Sequence, residues 1–170
     1  DVAAAGEWFG RAAEAGHAAA AFNLGVLLEG LDPPEVAEAR KWYRQAAEAG
    51  HAGAAFNLGV LLEGLDPPEL AEARKWYRQA AEGGDAGAAF NLGLLLEGLD
   101  PPELAEARKW YRQAAEAGHA GAANNLGVLL EGLDPPELAE ARKWYRQAAE
   151  AGHPLAALNL RALLEGLDPP

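Results

Sequence analysis

His17, His51, His119 and His153 stand at multiples of 34 residues, and Asp85 fills the gap in that series. A row of imidazoles invites a metal reading. Equivalent atoms on successive packed helices, however, lie about 10 Å apart, whereas a Zn–N bond is about 2 Å. A small polar turn residue satisfies the pattern, and the same spacing admits Asp85. Glu63, Asp66, Glu69 and Glu72 recur in each unit and could serve as acid–base pairs. Asp66 and Glu69 fit a capping box around Pro67 in the first turn of a helix. No pair differs from its copies, as an active site would require. Arg74, Lys75 and Arg78 form a basic cluster, but Glu72 and Glu82 fall within i,i+3 and i,i+4 reach, so a salt-bridged outer face is expected. The chain contains no Ser, Thr or Cys. It therefore offers no candidate nucleophile with a paired base, and no Gly-rich phosphate loop is present. The expectation is a protein that is not an enzyme and carries no cofactor or metal.

Two other series run through the same units. Phe22, Phe56 and Phe90 repeat on one helical face, and the series changes to Asn124 and then Leu158. Rings about 10 Å apart can hold apolar side chains of an extended peptide; equally, each ring can pack against the next unit. Asn23, Asn57, Asn91, Asn125 and Asn159 form an unbroken series. Each amide offers donor and acceptor to a peptide backbone, or to a neighbouring unit's backbone to set stacking register. Gly53, Phe56 and Asn57 supply none of the cations that a carboxylate clamp needs.

These series exist because the sequence repeats. Units 17–50, 51–84, 85–118 and 119–152 follow one another; residues 1–16 align with the second half of a unit and 153–170 with the first half. A period of this length signals a solenoid, in which each unit buries its apolar face against its neighbours. In the second unit, Leu58, Leu61, Leu62 and Leu65 lie at i, i+3, i+4 and i+7, placing one apolar stripe on a helix A over about 52–63. Gly64 is expected as a left-handed C-terminal residue, with Leu65 folding back. Helix B presents Leu70, Ala73, Trp76, Tyr77, Ala80 and Ala81 on one side and Glu72, Arg74, Lys75, Arg78, Gln79 and Glu82 on the other, and Gly84 ends it. Short connections make the two helices antiparallel. Gly59 and Ala73 lie on inward faces and let the hairpin close tightly. In the last unit the Gly59 position is Arg161, and no helix B follows it.

Composition agrees. Half of the residues are apolar, mostly Ala and Leu, and Ala, Leu, Glu, Arg and Lys favour helix. The 20 Gly and 11 Pro recur at fixed positions, so they act as punctuation. A net charge of −12 opposes sequence-independent binding to nucleic acid or an anionic membrane and favours a basic or apolar partner. No run of about 18 apolar residues or charged-then-apolar leader is visible, and nothing assigns a compartment. The absence of Met implies a fragment, a processed product or an engineered chain.

The stretch "YRQAAEAGHAGAAFNLGVLLEG" resembles the Sel1-like repeat, the short-turn branch of the tetratricopeptide superfamily. The matching residues are Ala54, Leu58 and Gly59, then Ala73, Trp76, Tyr77, Ala80, Ala81 and Gly84. The resemblance extends over the whole chain, although "GLDPPEL" replaces the usual Gly-rich loop. It implies one all-α repeat domain over 1–170: an α-solenoid, a right-handed superhelix of antiparallel helical hairpins. It further implies a non-catalytic scaffold that binds a protein or peptide in a groove lined by the A helices. That groove would contain Phe22, Asn23, Val26 and Glu29; Phe56, Asn57, Val60 and Glu63; Phe90, Asn91, Leu94 and Glu97; and Asn124 and Asn125. The spacing alone puts Phe56, Val60 and Glu63 on one face; only the resemblance makes that face concave.

The other reading is a structural or engineered repeat module without a natural ligand. Residues 1–16 form a lone helix B and 153–170 a lone helix A, and "LEGLDPP" followed by "DVAAAGEW" reads as one continuous repeat. Val2, Trp8 and Phe9 at one end, and Leu160, Leu163 and Leu164 at the other, lack part of their cover. Head-to-tail self-association through these surfaces is therefore also expected.

Overall fold

The computed structural model describes residues 2–167, which form ten α-helices. Asp1 and Asp168–Pro170, which carry part of the head-to-tail junction read above, lie outside the described residues. The chain divides into two compact units, Asp1–Asp85 and Ala86–Pro170. The first holds α1 (Val2–Glu14), α2 (Ala18–Glu29), α3 (Val36–Glu48), α4 (Ala52–Glu63) and α5 (Leu70–Glu82). The second holds α6 (Ala86–Glu97), α7 (Leu104–Glu116), α8 (Ala120–Glu131), α9 (Leu138–Glu150) and α10 (Ala156–Leu167). Within each unit every helix packs on the next in the chain, so the A helices are the even-numbered ones and the B helices the odd-numbered ones.

The core is built from small and medium side chains at helical period. On α4, Leu58 and Leu62 are completely buried and Leu61 nearly so; on α5, Ala73, Trp76, Tyr77, Ala80 and Ala81 are buried. Leu70 departs from the expected inward set. It begins α5 at the rim of the hairpin and is exposed, as Leu104 is on α7. The hairpin closes on a ring. A Cβ added at Gly59 would stand 2.6 Å from Cδ1 and Cε1 of Tyr77, so the missing side chain makes room for an aromatic face. Gly25 receives Tyr43 in the same way.

Both ends of the A–B connection differ from the expected signals. Gly64 has φ −79°, an ordinary right-handed value, and the left-handed glycines close the B helices, as at Gly84 with φ +93°. The carbonyls at the end of α4 are served otherwise: Gly64 N–H donates to Val60 O, and Glu69 N–H reaches back to Leu62 O at 2.9 Å. Nor does Asp66 cap α5. The Asp66-Pro67 peptide is cis, and α5 begins only at Leu70, with Glu69 at the N-cap making no side-chain cap bond. Two successive prolines explain the delay, because a residue preceding proline is sterically driven out of the helical region. Asp66 and Pro67 both precede one.

Gly59→Ala is expected to destabilise the fold by about 1–3 kcal/mol through overpacking against Tyr77. Gly10 on α1 has open space around its would-be Cβ. Gly10→Ala should be neutral or stabilising, by up to about 1 kcal/mol, through helix propensity. Urea unfolding of the two variants tests the contrast.

Candidate functional site

The face of helix A that points away from its leucine stripe carries the expected binding residues, and the structure divides them into two sets. The phenylalanines turn into the stack and are half-buried. Phe22 tilts against Tyr43 at 6.1 Å and stacks on His51 of the next repeat at 4.6 Å. Phe90 does the same with Tyr111 at 6.0 Å and His119 at 4.4 Å, and Phe56 packs on Tyr77 at 6.1 Å. The aliphatic residue one turn further along is exposed instead: Val26, Val60, Leu94 and Val128 are 43–48% accessible. Glu29, Glu63, Glu97 and Glu131 follow three residues later, and they too are exposed.

Each of these carboxylates is oriented from beneath. The Tyr43 hydroxyl donates to Glu29 Oε2 at 2.6 Å, Tyr77 to Glu63 at 2.7 Å, Tyr111 to Glu97 at 2.6 Å and Tyr145 to Glu131 at 2.8 Å. Burial of the ring, reinforced by the carboxylate, raises the pKa of Tyr43, Tyr111 and Tyr145, so their hydroxyls stay protonated donors. Asn57 Nδ2 of the following repeat donates to Tyr43 Oη at 3.3 Å, and Asn125 bonds Tyr111 likewise. These asparagines thus join repeats through a tyrosine hydroxyl, where the sequence suggested a backbone partner. Asn23 is exposed; in α1 the tyrosine position is Phe9, which has no hydroxyl to offer. Asn124 is only 5% accessible. It donates to Asn125 Oδ1 at 3.3 Å and accepts from Asn159 at 2.9 Å, so it pairs within the stack. Asn91 is half-buried.

The outer face of the B helices carries charge: Lys41 pairs with Glu38 of its own helix at 3.3 Å, while the arginines pair between repeats. Arg40 forms two hydrogen bonds with Glu69, at 2.7 and 2.6 Å, and a third with Glu72 at 3.2 Å; Arg44 binds Glu72 at 2.6 Å. In the second unit Arg108 binds Glu137 at 2.9 Å and Arg112 binds Glu140 at 2.7 Å. The expected pairing of Glu72 within its own helix gives way to this contact. Partial burial pushes Glu72 up, but hydrogen bonds from Trp76 and Arg44 and the charges of Arg44 and Arg40 outweigh it and hold it below the usual range. Gln79 and Gln147 add a donor to the preceding B helix, on Ala47 O at 2.6 Å and Ala115 O at 2.7 Å. Periodicity alone put Gln79 on the solvent side.

Two of the histidines serve the turns. His51 and His119 accept from the N–H of Ala54 and Ala122 through Nδ1, each at 3.1 Å. Among the described residues no group of three or more His, Asp or Glu is arranged to hold a metal ion. No described helix is long and apolar enough to cross a membrane.

Comparison with known proteins finds the family model described as Sel1 repeat over residues 1–17, 18–51, 52–85, 86–119 and 120–153. Two solved structures share 33% identity with the chain. One is a protective antigen of uropathogenic Escherichia coli with an SLR fold (TM-score 0.79, covering 93% of this chain and 36% of that one). The other is a Sel1 repeat protein from Oxalobacter formigenes (TM-score 0.72, covering 91% and 65%). The chain therefore spans less than two thirds of either. MamA, at 20% identity and TM-score 0.61 over 88% of this chain and 87% of that one, shares the fold. No curated protein matches the chain.

Burial pushes His119 below its ordinary value of 6.5, and nearby His153 adds to the shift. A histidine that resists protonation only when folded leaves the unfolded chain binding more protons, so stability falls as pH drops through 6.5 toward the depressed value. The melting temperature should thus decrease between about pH 7.5 and 5, and His119→Asn, which keeps a capping oxygen, should flatten that decrease. Calorimetry across the range checks it.

Proposed function

Because the chain belongs to the Sel1 repeat family, whose members are generally non-catalytic protein-interaction scaffolds, we propose that its A helices bind a protein or peptide segment combining apolar and basic side chains. One observation carries this reading. Each exposed aliphatic side chain (Val26, Val60, Leu94, Val128) is followed by an exposed glutamate with Oε2 already held by a tyrosine hydroxyl. A preset carboxylate loses little freedom when it meets a lysine or arginine, and the aliphatic beside it gives the neighbouring apolar residue something to cover. The chain's net charge of −12 draws such a partner in. The phenylalanine rings support this surface from below; they do not form it. Asn23 and Asn57 flank it within the first unit.

Fluorescence polarisation with peptides alternating Lys or Arg with Leu or Val tests the proposal. Saturable binding is expected, weakened about tenfold or more by Val26→Lys with Val60→Lys and reduced by Glu29→Gln with Glu63→Gln. Binding indifferent to all four substitutions removes this surface from consideration. Phe56→Ala is a poor probe, because it attacks the stack itself.

Head-to-tail self-association is a second reading, favoured by the apolar side chains exposed on α1 (Val2 and Trp8, the latter 72% accessible) and on α10 (Leu158 and Leu164). The contact would differ from an internal hairpin, because Arg161 stands at the glycine position and Ala4 at the position of Glu72. Light scattering over a concentration series should give a mass that rises with concentration and reverts in Trp8→Ser. A constant monomer mass rejects it.

A further inference from the structure

The contact between α3 and α5 shows what the carboxylates of a B helix bind. Arg40 and Arg44 of α3 reach across to Glu69 and Glu72, and the Trp76 indole N–H donates to Glu72 at 3.2 Å. Trp76 is buried in this arrangement. The contact between α1 and α3 keeps the same frame without the cations. Gln45 Nε2 donates to Ala13 O at 2.6 Å, as Gln79 does to Ala47 O. Glu35 has φ −91° and ψ 65°, against −95° and 61° at Glu69. Its N–H meets Leu28 O at 2.9 Å, the distance from Glu69 N–H to Leu62 O. The two arginine positions, however, are Gly6 and Gly10, and nothing stands within 4 Å of a Cβ built on either. Glu35 and Glu38 are exposed, and Trp42 is partly exposed. Among the described residues Glu35 pairs with no cation and Trp42 donates to no carboxylate, while Glu38 meets Lys41 with both side chains more than half exposed. Both walls of this gap stand in the structure. Trp8 lies two residues, or about 200° around the helix, from Gly6 and from Gly10, so a helix packed on the Trp8 side of α1 leaves the gap open.

We propose that the gap between α1 and α3 binds two arginine side chains of a partner protein. Their guanidinium groups take the places over Glu35 and Glu38 that Arg40 and Arg44 fill over Glu69 and Glu72, with the Trp42 ring as a wall. The internal template specifies arginine over lysine. Arg40 meets Glu69 through two hydrogen bonds of 2.7 and 2.6 Å and adds a third to Glu72 at 3.2 Å, a fork that an ammonium group cannot match. The indole face adds a cation–π contact. Lys41 already lies over that ring, but it does not close the site. Lys75 lies over Trp76 in the same way while Glu72 belongs to the arginines, and an exposed pair such as Lys41–Glu38 contributes little. Arginines four residues apart on a helix start about 6 Å apart along its axis. An extended segment with one residue between two arginines spans about 7 Å, so it delivers both groups to the gap. This site lies on the B helices, apart from the aliphatic and glutamate surface of the A helices. The chain's net charge of −12 favours its cationic ligand.

The test uses the full chain and two fluorescently labelled peptides, one carrying Arg-Ala-Arg among uncharged residues and the other Lys-Ala-Lys. The arginine peptide is expected to bind saturably, with marked salt sensitivity, and about fivefold or more tighter than the lysine peptide. Glu35→Gln with Glu38→Gln should weaken it about tenfold and erase the preference for arginine. Glu29→Gln with Glu63→Gln on the A helices should leave that preference unchanged. Gly6→Arg with Gly10→Arg places the guanidinium groups in the gap from within the chain, so it should block the peptide while the melting temperature holds or rises. Equal binding of the two peptides overturns the proposal, as does arginine binding that survives either the Glu35 and Glu38 pair or the Gly6 and Gly10 pair of substitutions. A preference lost with Glu29→Gln and Glu63→Gln, or a lower melting temperature in the Gly6→Arg, Gly10→Arg chain, overturns it too. So does concentration-dependent self-assembly that Glu35→Gln with Glu38→Gln reverses, since it makes a second copy the occupant.

Discussion

The hairpins depend on one tight contact: a tyrosine ring of helix B lying against the bare backbone of helix A at Gly25, Gly59, Gly93 and Gly127. No other residue leaves room for it. Once the ring is seated, its hydroxyl emerges at the far end of helix A, within reach of one glutamate, and in two repeats of one asparagine of the next hairpin. The glycine therefore decides more than packing density. It sets the distance between two helices, the orientation of an exposed carboxylate, and the register of the following repeat.

Stability and specificity have separate sources in this arrangement. The buried alanines, leucines and aromatic rings supply the apolar area that drives folding. The arginine–glutamate contacts between successive B helices are partly exposed, at 27–36% for the arginine side chains of the first unit. Pairs of that kind contribute little net free energy. Their value lies in direction, because a two-carboxylate, two-guanidinium contact is satisfied in only one register. The glutamine that bonds the preceding helix's carbonyl acts the same way.

The two helix types consequently show different chemistry to solvent. The A helices present a short aliphatic patch beside a glutamate already oriented by tyrosine, a pattern that suits a basic and apolar segment. Within each unit the B helices present cations that the carboxylates of the next repeat take up.

The architecture was legible in the sequence, because periodic leucines and alanines with recurrent Gly and Pro leave few ways to bury a 34-residue hairpin. The extent of α4 could be read from its stripe of leucines. What could not be read was which partner each polar group selects. Glu69 and Glu72 have equally good partners within their own helix and capping positions at its start, and only the approach of the preceding B helix turns them outward to Arg40 and Arg44. The same holds for Phe22, Phe56 and Phe90, whose face is evident from spacing but whose contact with His51, Tyr77 or Tyr111 exists only once neighbouring helices are in place. Sequence by itself determined the helices, their pairing and their apolar faces, since these depend on periods of three to four residues along one chain. Tertiary structure decided the caps, the salt-bridge partners and the exposed surface, because those depend on groups some thirty residues away that compete on nearly equal terms with local ones.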